Sequence, residues 1–284
     1  MGGIYWLASY PKSGNTWFRA YLKNLINDGD RPVDINDLNT GGIASSRCWL
    51  DEVLGFDTAE LAPEEIEQLR PDVYRWFLRD EVISYYKIHD AYTLTTRGEP
   101  IVSREATLGA LYILRNPLDV ALSAANHWHL DVDETIERMG DVRTTLARGR
   151  SGLPDQVSQK ILTWSQHVLS WVDAPGLNVK VIRYEDMLSS SLSIFTEATR
   201  FLQLPDAFGQ IEKALRFSDF RELSRQELEK GFKERPLGAR QFFRQGRSGG
   251  WRGGLTPQQI ARVIADHGEV MRRFGYLDLS GNPV

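Results

Sequence analysis

Four short runs rich in β-branched and aromatic residues, Ile4 to Ser9, Val82 to Lys87, Ala110 to Leu114 and Val179 to Arg183, alternate with stretches of helical periodicity. Runs this short and this apolar suit strands buried on both faces of a parallel sheet. The helix-like stretches are Asn15 to Ile26, Pro117 to Trp128, Gln156 to Val172, Asp186 to Leu202 and Pro257 to Phe274. Thr256-Pro257 opens the last of them with a cap followed by proline in the first turn. Strands alternating with helices imply right-handed crossovers, an α/β fold with a central parallel sheet flanked by helices, and ligand sites beyond the carboxyl ends of the strands.

No repeat, low-complexity tract or linker interrupts the pattern, so residues 1–284 read as one domain. The net charge of −4 argues against wholesale attraction to nucleic acid and leaves any anion site to a local cluster of basic groups. Cys48 is the only cysteine, which excludes an intrachain disulfide and fits a reducing, cytoplasmic setting. The longest apolar stretch, near Leu108 to Leu114, is far shorter than the ~20 residues of a spanning helix. No His, Cys and carboxylate spacing reads as a metal site.

The first strand runs into Pro11-Lys12-Ser13-Gly14-Asn15-Thr16-Trp17 and then an amphipathic helix. Backbone N–H groups at a helix N-terminus favour an anion, and Lys12 adds a positive charge. The loop lacks the Gly-Lys-Ser/Thr ending of nucleotide triphosphatases, because its lysine precedes the glycine. At the second strand end, Lys87 and His89 share one side of the chain by alternation. Histidine is suited to removing a proton near neutral pH, which makes His89 the candidate base. After the third strand, Arg115 and Ser123 offer a guanidinium fork and a hydroxyl to a second anion. Pairing of Arg115 with Asp119 at helical spacing is the structural alternative.

The nine residues from Ser9 to Trp17 resemble the 5′-phosphosulfate loop of the sulfotransferases that use 3′-phosphoadenosine-5′-phosphosulfate (PAPS), whose fold is P-loop NTPase-like. Four further segments resemble that family in order: Lys87-Ile88-His89, Arg115-Asn116-Pro117 with Asp119 and Ser123, Arg183-Tyr184-Glu185-Asp186, and Phe243 to Arg252. Phe217-Ser218-Asp219-Phe220 adds a shorter match. The resemblance implies that Lys12, Ser13, Gly14, Asn15, Thr16 and Trp17 hold the 5′ end and adenine of the donor. It implies that Arg115, Ser123, Arg244, Gln245 and Gly246 hold the 3′-phosphate, and that Tyr184, Ser218 and Phe220 contact the nucleotide. Lys12, His89 and Lys87 would be catalytic, with PAPS as donor, 3′-phosphoadenosine-5′-phosphate (PAP) as product and no metal required. Gln245 and Gly250 depart from the family's usual lysine and aspartate, which puts one phosphate contact in doubt.

The acceptor would be a small molecule selected by residues 28–80 and 126–155. Aromatic residues there, including Trp49, Phe56, Trp76, Phe77 and Trp128, suit either an apolar acceptor or the core. No match to the short dimer motif of some relatives is found, and a homodimer stays open. The rival readings are a P-loop kinase or nucleotide hydrolase, and a nucleotide-binding interaction protein without catalysis.

Overall fold

The computed structural model describes residues 2–79, 81–147, 153–236 and 239–284. Within the expected variable segments, residues 80 and 148–152 therefore lie outside the described residues. Strands are β1 (Gly3–Ala8), β2 (Gly41–Ile43), β3 (Ile83–Ile88), β4 (Thr107–Leu114), β5 (Thr145–Leu146), β6 (Gln159–Lys160) and β7 (Val179–Arg183). Helices are α1 (Asn15–Asn27), α2 (Arg47–Leu54), α3 (Pro63–Arg75), α4 (Pro117–Trp128), α5 (Val132–Gly140) and α6 (Trp164–Val172). They continue with α7 (Tyr184–Ser189), α8 (Ser191–Phe201), α9 (Phe208–Phe217), α10 (Phe220–Lys230), α11 (Trp251–Gly254) and α12 (Pro257–Arg273).

The fold is the expected α/β class. A five-stranded sheet has the order β2-β3-β1-β4-β7, with β1 pairing in parallel with β3 and β4, and β2 in parallel with β3. All six residues of β1 are buried, as its unbroken apolar character requires at the centre of a sheet covered on both faces. The four expected strands are present, with ends shifted by up to three residues. β2 was not anticipated, because Gly41-Gly42-Ile43 is three residues long and carries no alternation.

Two helix expectations are corrected. The stretch from Gln156 is not helical until Trp164: Gln159 and Lys160 pair with Thr145 and Leu146 in a two-stranded ribbon, and Leu162 has φ 55. The helix starts where Thr163 and Gln166 form a capping box, the Thr163 hydroxyl accepting from the Gln166 amide at 3.1 Å. The stretch from Asp186 to Leu202 is divided at Ser190 (φ −137), where three consecutive serines compete with helical hydrogen bonding. By contrast Thr256 caps α12 as expected, with Pro257 in the first turn.

The chain forms two compact units. One comprises residues 1–10, 41–112 and 140–181, with Trp6, Tyr74, Tyr86, Trp164 and Trp171 among its buried side chains. The other comprises residues 11–40, 113–139 and 182–284. In it Phe18, Tyr21 and Phe195 pack at ring-centroid distances of 4.5 to 5.8 Å. Among the described residues no helix is long and apolar enough to cross a membrane.

Candidate functional site

The turn from β1 into α1 belongs to the second unit from Pro11 onward. Lys12 has φ 70 and Gly14 φ 105, so the main chain bends through the left-handed region twice before the helix starts. A Cβ on Gly14 would lie 2.6 Å from Cδ2 of Tyr184, so glycine is required both by φ and by the ring against it. Helix α1 runs thirteen residues with no side-chain cap and no acidic residue in its first turn. Helices α4, α6, α10 and α12 each have a capping side chain. The N-terminus of α1 therefore keeps a partial positive charge that no capping side chain offsets.

Arg115, just beyond β4, builds the same cradle. Its Nη1 donates to the Lys12 carbonyl oxygen at 3.0 Å, its Nη2 donates to the Arg247 carbonyl oxygen at 3.3 Å, and its guanidinium stands 4.3 Å from the centroid of the Tyr184 ring. The alternative in which Arg115 pairs with Asp119 is not what the fold adopts. Trp17 meets Tyr184 edge-on, with centroids 5.8 Å apart. Burial raises the Tyr184 phenol pKa, and the adjacent Arg115 opposes the rise. Lys12, Gly14, Trp17, Arg115 and Tyr184 are thus brought together.

Polar atoms of this cradle that are buried without a hydrogen-bond partner in the protein include Ser13 Oγ, Trp17 Nε1 and Arg115 Nε. An orphaned buried donor costs on the order of 1–3 kcal/mol, a cost that an outside acceptor would relieve. A hydroxyl and a guanidinium N–H beside an uncapped helix N-terminus fit phosphate or sulfate oxygens.

The glycine-rich segment reaches the same unit from α10. Its approach is anchored by Glu227, 2% exposed, whose carboxylate accepts from the amides of Phe242 and Phe243 at 2.7 and 2.8 Å. Phe242 lies under Lys12, with Nζ 3.9 Å from the ring centroid. Gly246 (φ 58) is pressed onto Phe220, where a Cβ would come within 2.3 Å of the ring. The loop is fastened to α4 by Asp119, which accepts from the amides of Gly249 and Trp251 at 2.7 and 3.0 Å. Ser123 follows Asp119 by one turn on α4 and is half-buried.

Arg244 and Gln245 border a cavity of about 680 Å³ that Leu122, Ala125 and Asn126 also line; Ser123 is not among its lining residues. Ser218 is buried, and its hydroxyl donates to the Ala214 carbonyl oxygen at 2.8 Å, so its proton is directed into its own helix.

The first unit holds the second expected element. Lys87 is 9% exposed in β3, opposite Leu7 of β1 and Ile43 of β2. His89 follows the strand, with Nδ1 2.8 Å from the Ser9 carbonyl oxygen and 3.3 Å from its Oγ. A carbonyl can only accept, so Nδ1 carries the ring proton in the neutral form and Nε2 is the basic nitrogen. The backbone around His89 is held by buried groups. His167 Nε2 donates to the His89 carbonyl oxygen at 3.0 Å, and Trp171 Nε1 donates to that of Asp90 at 2.9 Å. Asp90 and Arg70 form two parallel hydrogen bonds of 2.8 Å, each side chain about 1% exposed.

The roles of Phe242, Glu227, His167 and the Arg70–Asp90 pair, and of Ser9 as the partner of His89, were not read from the sequence, since each acts across a long chain separation. Only Asp90 carried a signal, as an unexpected acid directly after the candidate base. Among the described residues no group of three His, Cys, Asp or Glu side chains is placed to hold a metal ion.

Sheet order and the left-handed loop after β1 define a P-loop-like α/β fold. A family model described as the sulfotransferase domain matches residues 4–275. The chain belongs to the sulfotransferase family. It is 23% identical to flavonol 3-sulfotransferase of Flaveria bidentis over 273 residues, 90% of this chain and 78% of that protein. It is 24% identical to luciferin sulfotransferase of Photinus pyralis over 276 residues, 90% of this chain and 68% of that one.

Among solved structures it resembles a mouse sulfotransferase complexed with PAP, with a TM-score of 0.60 and 20% identity, over 95% of this chain and 85% of that one. Retinol dehydratase in complex with androsterone and inactive cofactor PAP gives a TM-score of 0.60 at 16% identity, over 94% of this chain and 80% of that one.

Proposed function

We propose that the protein transfers a sulfuryl group from PAPS to a hydroxyl or amine of a small-molecule acceptor. The observation that carries this reading is the uncapped N-terminus of α1, with the buried, partnerless Ser13 Oγ and Arg115 Nε beside it. The relatives named for flavonol and luciferin, and the neighbour complexed with androsterone, favour a compact organic acceptor. Relatives named cytosolic sulfotransferases favour a cytoplasmic setting.

In this mechanism His89 Nε2 takes the acceptor proton while the Ser9 carbonyl oxygen holds the opposite ring nitrogen in the N–H form. The acceptor oxygen or nitrogen forms a bond to sulfur as the bond from sulfur to the bridging phosphate oxygen breaks in line, and PAP leaves. Negative charge grows on that bridging oxygen. Lys12, the loop amides and Lys87 stabilise it by fixed positive charge and dipoles, with no metal required. Thr16 and Ser13 hold the 5′ end, Arg115 and Ser123 the 3′-phosphate, and Trp17 and Tyr184 the adenine.

Calorimetry with PAP and with AMP tests the donor, and a radiolabelled-donor assay with and without chelator, run against ATP, tests the chemistry. PAP preferred over AMP, together with chelator-resistant sulfuryl transfer, is the expected result. Equal affinity for the two nucleotides, or turnover confined to ATP with magnesium, defeats the reading. Lys12→Ala should slow turnover by roughly 10²- to 10³-fold, as loss of one transition-state donor does. His89→Ala should slow it by at least about 10²-fold.

A further inference from the structure

Asp119 sits in the first turn of α4, 4% exposed, and spends both carboxylate oxygens on the glycine-rich loop. Oδ2 accepts from Gly249 N at 2.7 Å and Oδ1 from Trp251 N at 3.0 Å. These two amides flank Gly250, the N-cap position of α11, which has no side chain to cap the helix. The loop needs such a tie. Between the buried Phe243 and Trp251, Arg244, Gln245, Arg247 and Ser248 are exposed, and Gly246 and Gly249 both have positive φ, so few apolar side chains of residues 244–250 hold their shape.

We propose that Asp119 is a positioning residue that pre-folds the 244–252 loop for the donor's 3′-phosphate, supplying from α4 the cap that Gly250 cannot. The proposal rests on the donor reading above and names what sets its selectivity. A loop already ordered before binding does not lose its conformational entropy on binding, and this saving is realised only by a ligand that engages the loop. Removing the tie therefore weakens a 3′-phosphorylated nucleotide and spares one that occupies only the 5′ seat.

Position 250, where the family resemblance makes aspartate usual, bears on the same tie. A Cβ on Gly250 would lie 3.6 Å from Asp119 Oδ1 and 3.3 Å from Gln245 Oε1. An aspartate there would bring a second carboxylate near one already engaged with the neighbouring amides, and like charges close together repel. Gly250→Asp should loosen the loop.

Calorimetric Kd values for PAP and AMP are measured on the wild-type protein, Asp119→Ala, Asp119→Asn and Gly250→Asp, with thermal unfolding of each. Asp119→Ala should raise the PAP Kd by roughly tenfold or more and the AMP Kd by less than about twofold. Asp119→Asn, which keeps one acceptor, should fall between, and Gly250→Asp should also weaken PAP. Equal losses for both nucleotides, no loss for either, or tighter PAP binding by Gly250→Asp overturns the proposal. Should Asp119→Ala fail to fold, Asp119→Asn decides by the same ratio. A wild-type protein without preference for PAP defeats the donor reading instead. Amide exchange at Gly249 and Trp251 then decides the tie: faster exchange in Asp119→Asn supports it and unchanged exchange refutes it.

Discussion

His167 Nε2 donates to the carbonyl oxygen of His89 at 3.0 Å, while His167 Nδ1 lies 2.7 Å from the Tyr112 hydroxyl. The carbonyl can only accept, so Nδ1 is the acceptor of the Tyr112 O–H, and His167 is used in one neutral tautomer. Burial pushes its pKa down to about 4, which keeps the ring neutral at physiological pH. One histidine thereby fixes the main chain of the other.

Replacing His167 by phenylalanine leaves the His89 carbonyl and the Tyr112 hydroxyl without this partner in a dry site. Stability should fall by roughly 1–3 kcal/mol for the unsatisfied groups, read by urea unfolding at pH 7. His167→Gln retains a donor and should lose less. Equal stability of the phenylalanine variant and wild type would show that the two hydrogen bonds contribute nothing.

Acid should destabilise the protein through His167 and His267. Burial lowers both pKa values from 6.5 to about 4. Above pH 6.5 both are neutral in the folded and unfolded chain. As pH falls from 6.5 to 4 the unfolded chain binds protons that the folded chain refuses, so stability drops across that window and levels off below it. His167 alone could remove up to about 3 kcal/mol. Unfolding free energies at pH 7 and pH 5 check this, and His267→Leu should flatten the slope.

Asp90→Ala would strand the Arg70 guanidinium, 1% exposed, in a site built around its charge. Breaking a buried pair on one side costs about 3–5 kcal/mol. The double variant Arg70→Met with Asp90→Leu should be markedly less damaged than the single one, as measured by chemical denaturation. Similar losses in both would mean that packing, not charge, dominates there.

Gly14→Ala should cripple nucleotide binding. The position has φ 105, and the added Cβ falls against Tyr184, so either the loop or the ring must move. Strain of this kind costs on the order of 1–3 kcal/mol, and PAP titration should show a correspondingly weaker Kd. A Gly14→Ala protein with wild-type affinity would mean that the loop is free to relax.

The strands of the sheet core and the loop from Pro11 to Trp17 were legible because their signals are local. An apolar run, a small-residue turn and an amphipathic helix lie within about twenty-five consecutive residues. The helix expected from Gln156 was misread because Val157, Ile161 and Trp164 mimic helical spacing, whereas β5 takes Gln159 and Lys160 as partners. Neither the tautomer of His89 nor the tie at Asp119 could be read from sequence, since their partners lie 80 and 130 positions away.

The amino-acid sequence by itself determined the α/β class, the small-residue loop after the first strand and the set of residue types available for an anion and a proton. Only the tertiary structure decided that Arg115 secures Lys12 and Arg247 rather than Asp119, that Asp119 is committed to loop amides, and that a neutral His167 supports His89. The division has a physical cause. Strand, helix and turn preferences act over a few bonds, whereas the partner of a buried carboxylate or imidazole is set by which distant segments the core brings within hydrogen-bonding reach.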